Sequence, residues 1–107
     1  MKLNDSPFER IKSGKKSVEL RLYDEKRRLL RVGDCIRFTN TETGEFLNAK
    51  ITKLQRFADF FELYRHFDKI TIGYSEEESA NPEDMYEYYT REEIARYGVL
   101  AITIERF

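Results

Sequence analysis

The spacing of hydrophobic residues along this chain switches repeatedly between a helical and a strand pattern. Near the N-terminus, Phe8 and Ile11 lie on one side of a short predicted helix. Ser6 is its predicted N-cap and Pro7 fills the first helical position, where proline is favoured. Gly14 follows and readily adopts the left-handed conformation in which many helices end. The pattern therefore predicts an amphipathic helix that stops at Gly14.

Strict alternation begins after that glycine. In a predicted strand over residues 17–23, Val18, Leu20 and Leu22 lie on one face. The other face is polar and aromatic, and consists of Ser17, Glu19, Arg21 and Tyr23. Same-face neighbours on a strand are about 6.5–7 Å apart, so Glu19 and Arg21 project side by side. Alternation places Lys16 on the Val18 face, so Lys16 joins Glu19 only if the strand begins after it or a bulge redirects it.

The next third of the chain predicts a hairpin. A charged loop, Asp24–Arg31, leads to a turn at Gly33-Asp34. Two strands, Cys35–Thr39 and Glu45–Leu54, are then joined by the turn Thr41–Gly44.

Helical spacing returns in the second half. Phe57, Phe60, Phe61 and Tyr64 recur at the spacing of one apolar helix face. The polar, acidic stretch Gly73–Pro82 follows. Ser75 and Glu78 are a possible capping box within it, ahead of a short helix through Met85 and Tyr88.

The C-terminal segment predicts a helix followed by a strand. Thr90 and Glu93 form a second capping box, and Gly98 ends the helix that it opens. The final strand, Val99–Phe107, begins apolar on both faces, as expected of a strand in the middle of a closed sheet. Short strands with peripheral helices predict a small, partly open β-barrel in a single domain over residues 1–107.

Composition restricts the function classes. The formal net charge is −1, so affinity for nucleic acid based on bulk charge is not expected. The distribution is uneven: the first third is basic, whereas Glu76–Asp84 is acidic. A local basic face suits a few phosphates or one nucleotide better than a long duplex. Alternatively, the run Lys26-Arg27-Arg28 is only a solvated turn.

Cysteine and histidine are too few for several kinds of site. The single cysteine, Cys35, excludes an internal disulfide, and with one histidine it argues against a zinc site; no cofactor is expected. Cys35 is predicted to be a buried, inert thiol. His66, at the end of a predicted helix, is expected to cap it or face solvent. No signal peptide and no apolar run of membrane-spanning length is visible, so a cytoplasmic location is expected.

Several segments resemble one known family. The pattern Gly14-x-Lys16-x-x-Glu19-x-Arg21 is similar to the signature of the ASCH domain, a PUA-like β-barrel family linked to RNA. The turn Val32-Gly33-Asp34 before Cys35-Ile36-Arg37-Phe38 also resembles that family. So do Tyr88-Tyr89-Thr90 and the segment Tyr97–Ile102. The resemblance implies an α+β fold, with about five or six strands and three or four short peripheral helices.

The resemblance also implies a ligand cleft beside this motif. Its expected partner is RNA, a nucleotide or a modified nucleoside. The candidate binding residues are Lys15, Lys16, Ser17, Glu19, Arg21, Tyr23, Tyr88 and Thr90. Arginine can grip a phosphate with its planar fork, glutamate can accept from an exocyclic amine, and tyrosine can stack on a base. The alternative is an ion pair that only solubilises the strand, with Tyr86, Tyr88, Tyr89 and Tyr97 packed in the core and Thr90 serving as an N-cap.

An enzyme is the competing interpretation. Some bacterial ASCH proteins are amidohydrolases that deacylate N4-acetylcytidine with a lysine, a threonine and a glutamate; other members have been proposed as ribonucleases. Lys16 matches the motif lysine, but Glu19 stands where those enzymes carry the threonine. Lys16 and Glu19 are the catalytic candidates on this interpretation, and a carboxylate cannot replace a hydroxyl nucleophile in kind. A protein partner for the acidic segment Glu76–Asp84 is a third possibility.

Overall fold

Five β-strands and three α-helices are distributed along the chain. The computed structural model describes residues 1–107. The elements are β1 (Lys2–Leu3), α1 (Asp5–Lys12), β2 (Val18–Leu22), β3 (Cys35–Asn40), β4 (Phe46–Phe57), α2 (Phe60–His66), α3 (Arg91–Tyr97) and β5 (Val99–Arg106). Two short 3-10 helices, Arg27–Leu29 and Pro82–Glu87, complete them. None of the helices has the length and apolar character needed to cross a membrane.

The strands form one curled sheet, a half-barrel with the order β1-β3-β4-β5-β2. β1 runs parallel to β3, and the other neighbouring strands are antiparallel. The long strand β4 shifts its register against β5 between Ile51 and Lys53, and an extra residue of this kind bends a strand. The predicted α+β fold of short strands and peripheral helices is confirmed.

Apolar side chains fill both sides of this sheet. Phe8 and Ile11 of α1 pack with Phe38 and other side chains into one cluster. Leu63 of α2 and Ile94 of α3 belong to a second cluster, which also contains the Val18, Leu20 and Leu22 face of β2. β5 serves both clusters, since Leu100, Ile102 and Ile104 lie in the first and Val99 and Ala101 in the second. The prediction that this strand begins apolar on both faces is confirmed.

The first helix begins earlier than predicted. Asn4, not Ser6, is the N-cap, and no side chain caps the helix from that position. The backbone N–H of Asp5 instead donates to the carboxylate of Glu42 at 2.8 Å. Glu42, distant in sequence, therefore supplies the acceptor that the sequence predicts from a local N-cap side chain. Gly14 has the predicted positive φ, at 84°.

The aromatic helix is displaced as well. β4 continues to Phe57, which pairs with Val99, so α2 begins only at Phe60 behind the N-cap Asp59. Leu63 is buried instead of the predicted Phe61, which is exposed. Pairing with a central strand overrides the local helical spacing. His66, at the end of α2, faces solvent as predicted.

The two predicted capping boxes have different outcomes. Thr90 and Glu93 form the full reciprocal box at the start of α3. Ser75 N donates to Glu78 at 2.8 Å, but no helix begins there, because the next helical segment starts at Pro82 behind Asn81. Glu78 has other partners, described below.

The prediction of a buried Cys35 is wrong. Along β3 the side chains of Ile36 and Phe38 point into the core, so alternation turns Cys35 and Arg37 outward. The thiol is exposed.

Candidate functional site

A cleft of about 650 Å³ opens between the start of β2 and the segments that surround α2. Its volume falls within the range of about 300–1,000 Å³ typical of small-molecule sites. The β1–α1 junction and Lys16, Glu19 and Arg21 form part of its lining. Tyr64 of α2, Gly73, Tyr74, Asp84 and the segment Glu87–Tyr89 also line it. Residues from four distant parts of the sequence thus meet at one place.

Lys16, Glu19 and the partly buried Arg21 form a charge cluster in this cleft. Lys16 Nζ lies 2.8 Å from Glu19 Oε1, and Arg21 Nη2 lies 2.7 Å from Glu19 Oε2. Arg21 Nε also donates to Glu19 Oε2 at 2.9 Å. Lys16 is only 8 % exposed and Glu19 only 3 %. The three side chains together carry two positive charges and one negative charge.

The backbone explains how Lys16 reaches Glu19. Ser17 N and Val18 N both donate to the carbonyl of Thr71 at 3.0 Å, so regular alternation starts only at Val18. Lys16 lies before the strand, and its own N–H donates to the Arg10 carbonyl at 3.0 Å. Because Lys16 precedes the alternating part of the strand, its side chain lies on the same side as Glu19. The sequence alone leaves this point open.

Electrostatics fixes the charge of Glu19. Burial alone would raise the pKa of this carboxyl, but the charges of Lys16 and Arg21 outweigh it and hold the pKa below its ordinary value. Glu19 is therefore a carboxylate whose two oxygens already accept from both cations. It is the counter-ion of both cations and holds their side chains in place.

Tyrosines supply the other polar groups of the cleft. Tyr64 and Tyr74 share a hydrogen bond of 2.9 Å, and the Tyr74 hydroxyl donates to Asp84 at 2.8 Å. Burial raises the pKa of Tyr64 and Tyr74, and for Tyr74 the hydrogen bonds to Tyr64 and Asp84 raise it further. Both side chains are neutral phenols. Tyr88, 60 % exposed, presents a free ring at the cleft edge.

The predicted late tyrosines divide between the cleft and the rest of the surface. Tyr88 and Tyr89 line the cleft, and the Tyr89 ring stacks on Phe60 with centroids 6.0 Å apart. Tyr86 lies beneath the guanidinium of Arg91, at 4.3 Å. Tyr97 lines a separate depression on the protein surface.

Four other candidate residues are not among those that line the cleft. Lys15 is exposed, and Ser17 is engaged through its backbone with Thr71 and Ile104. The guanidiniums of Arg56 and Arg28 lie over the Tyr23 ring, 4.0 and 5.3 Å from its centroid. The hydroxyl of Thr90 accepts from Glu93 N at 3.1 Å as the N-cap of α3.

Several cleft residues carry no local pattern in the sequence. Arg10, Tyr64, Tyr74, Asp84 and Glu87 all line the cleft. Arg10 is on α1, and it contacts Gly73 and Glu78, which lie 63 and 68 residues away along the chain. Only the tertiary fold brings these groups together. Four cations and four carboxylates line the cleft in total: Lys2, Arg10, Lys16 and Arg21, with Glu19, Glu78, Asp84 and Glu87.

No group of three His, Cys, Asp or Glu side chains is arranged to hold a metal ion. The ASCH domain family model matches residues 1–107, the whole chain. The chain belongs to the ASCH domain family. This PUA-like family membership suggests an interaction with RNA.

Two solved structures share this fold. The crystal structure of hypothetical protein PH0355 superposes with a TM-score of 0.80 at 32 % identity, covering all of both chains. The solution NMR structure of protein PF0455 from Pyrococcus furiosus gives a TM-score of 0.74 at 30 % identity, covering all of this chain and 98 % of that one. Among proteins of curated function, none matches the chain.

Proposed function

We propose that this ASCH domain recognises one nucleotide, either free or within single-stranded RNA, in the cleft beside Lys16, Glu19 and Arg21. The observation that carries the proposal is the unbalanced positive charge of the largely buried Lys16/Glu19/Arg21 cluster. Charge removed from water is costly unless it is compensated. An anionic or strongly accepting ligand group, such as a phosphate, supplies that compensation.

The tyrosines support the same function. A base has a π-face that stacks on an exposed aromatic ring, and such stacking contributes about 1–3 kcal/mol per base. Tyr88 offers such a ring at the cleft edge, 60 % exposed. Asp84 and Glu87, which also line the cleft, are acceptors for ribose hydroxyls or exocyclic amines.

A titration tests this proposal. Short oligoribonucleotides, the four nucleoside 5′-monophosphates and the free nucleosides are measured by calorimetry at two salt concentrations. Since the cleft carries equal numbers of cations and carboxylates, we expect micromolar or weaker affinity, with a salt slope of about one to three phosphates. Monophosphates should bind more tightly than nucleosides. Tight binding that grows with RNA length and has a steep salt slope would contradict a single-nucleotide site.

Hydrolysis of a modified nucleoside, or cleavage of RNA, is the second candidate function. Its support is the Lys16–Glu19 pair, an amine and a carboxylate 2.8 Å apart in a cleft. The low pKa of Glu19 weakens it as a base, because a stabilised carboxylate accepts a proton less readily. Incubation with N4-acetylcytidine and with a short RNA, followed by product analysis, tests this function. Turnover that Lys16→Ala abolishes would favour the enzyme over the binding module.

A protein-binding role for the acidic segment Glu76–Asp84 has less support. Glu78 and Asp84 already bind Arg10 and Tyr74, at 3.0 and 2.8 Å. The segment is thus partly engaged within the domain. A pull-down with the intact protein and with a Glu76/Glu77 double glutamine variant tests whether its outward-facing residues bind a partner.

The Thr90→Ala variant separates capping from ligand binding. We expect it to lower the free energy of unfolding by about 1 kcal/mol, because it removes the side-chain half of a capping box. Affinity for the monophosphates should not change, since the hydroxyl is occupied at the start of α3. Chemical denaturation and calorimetry measure the two quantities. A loss of affinity without a loss of stability would restore Thr90 to the binding site.

A further inference from the structure

The segment 69–78, called here the 69–78 loop, packs its backbone against the side chain of Lys16. A Cβ placed on Gly73 would lie 3.2 Å from Lys16 Cδ and 3.6 Å from both Cε and Nζ. Gly73 also has a φ of +113°, which side-chain-bearing residues rarely adopt. This position therefore lets bare backbone lie directly on the aliphatic stem of Lys16.

Arg10 joins this loop to helix α1. One terminal nitrogen, Nη1, donates to the carbonyl of Gly73, and the other, Nη2, donates to Glu78 Oε1 at 3.0 Å. The backbone carbonyl of Arg10 also accepts from Lys16 N at 3.0 Å. A single residue thus holds both the main chain of Lys16 and the loop that covers its side chain.

The loop is closed on itself around these contacts. Lys69 Nζ donates to the carbonyls of Glu76 and Glu78 at 2.7 and 2.6 Å. Glu78 Oε1 also accepts from Ser75 N at 2.8 Å. Because these hydrogen bonds fix the loop internally, the contacts of Arg10 with Gly73 and Glu78 position the whole loop.

We infer that Arg10 is a positioning residue of the cleft, which holds Gly73 against the stem of Lys16 so that the ammonium stays beside Glu19. A lysine side chain has many rotamers, and fixing it before binding removes an entropic cost that the ligand would otherwise meet. Arg10 acts through Lys16. The expected effect of Arg10 on ligand affinity rests on the nucleotide-binding function proposed above. The expected effect of Arg10 on the position of the Lys16 side chain does not.

The test compares Arg10→Met with Lys12→Met. Both residues are on α1, both substitutions remove one positive charge, and both break one solvent-accessible ion pair. Lys12 pairs with Glu45 and does not line the cleft, so it controls for net charge and for helix stability. Because Arg10 is itself one of the cleft cations, the Lys16 ammonium signal, and not affinity alone, separates positioning from the loss of that charge. Affinity for adenosine 5′-monophosphate is measured by calorimetry, and the Lys16 ammonium group is followed by ¹⁵N NMR.

Arg10→Met should weaken the binding of adenosine 5′-monophosphate about 3- to 10-fold, since the Lys16 side chain must then be ordered on binding. It should also broaden or abolish the Lys16 ammonium signal, because a loosened ammonium exchanges its protons with water faster. Lys12→Met should leave both unchanged. If Arg10→Met changes neither quantity, the inference is wrong. If the wild type does not bind adenosine 5′-monophosphate, nucleotide binding loses its support, while the ammonium signal still decides the role of Arg10.

Two further variants separate the Gly73 contact from the Glu78 ion pair. The swap Arg10→Glu with Glu78→Arg permits the ion pair but leaves no donor at position 10 for the Gly73 carbonyl. We expect the Lys16 ammonium signal to stay broadened in the swap. Arg10→Lys keeps a donor at position 10, so we expect it to restore part of the sharp wild-type signal. Full recovery by the swap would overturn the assignment to Gly73.

Discussion

Replacing Glu19 with glutamine should lower the free energy of unfolding by about 3–5 kcal/mol, the cost typical of removing one partner from a buried ion pair. Glu19 is 3 % exposed, and it is the counter-ion of both Lys16 and Arg21. Glutamine preserves the shape but leaves two neighbouring cations without a negative charge. Its amide nitrogen would also point a donor at one of them. Chemical denaturation at neutral pH measures the loss.

A double variant is the control for this mechanism. Glu19→Gln with Lys16→Met removes one charge of each sign, so the cluster returns to its original net charge. We expect it to be more stable than Glu19→Gln alone, because one of the two uncompensated cations is gone. If the double variant is the less stable of the two, then lost packing and not charge explains the effect.

The same carboxyl group gives a pH dependence with a definite sign. The pKa of Glu19 is lower in the folded protein than its ordinary value of 4.5, so the folded state favours the ionised form. Its contribution is complete above pH 4.5 and is lost as the pH falls through the lowered folded value. The stability difference between wild type and Glu19→Gln should therefore be constant above about pH 5 and shrink in more acidic buffer. A difference that grows in acid would contradict the lowered pKa.

Most elements of the fold follow from the sequence because they depend on neighbouring residues. Alternation over Val18–Leu22, the Thr90 capping box and the apolar start of Val99–Arg106 are all local patterns, and the structure has each of them. The burial predicted for Cys35 contradicts its own local alternation, but two other failures share a different cause. A distant partner determines the start of α1, where Glu42 accepts from Asp5 N, and the extent of β4, where Phe57 pairs with Val99.

The candidate site divides along the same line. Lys16, Glu19 and Arg21 are close in sequence, so a motif of eight residues already locates them. Tyr88 is also named from the sequence, but Tyr74 and Asp84 are not, because only the tertiary fold brings them to the cleft. Alternation also gave no certain place for Lys16. Its place is clear only from the tertiary structure, in which Ser17 N and Val18 N both donate to the Thr71 carbonyl.

Replacing Lys16 with methionine should lower affinity for nucleoside monophosphates about 10- to 100-fold, since a hydrogen bond to a charged group contributes about 1.5–3 kcal/mol. Methionine retains an unbranched stem to lie against Gly73, and Glu19 keeps Arg21 as its partner at 2.7 Å. The cluster then becomes neutral overall and no longer favours an anion.

Lys15→Met is the matched control for that substitution. It removes the same charge one residue away, from an exposed side chain that does not line the cleft. Its affinity for monophosphates should stay within about twofold of wild type, because an exposed charge outside the cleft is screened by salt. Calorimetry on both variants at one ionic strength decides between them. Equal losses for Lys15→Met and Lys16→Met would mean that general surface charge, and not the cleft, binds the ligand. A loss confined to Lys16→Met would tie recognition to the ammonium that Glu19 holds and Gly73 covers.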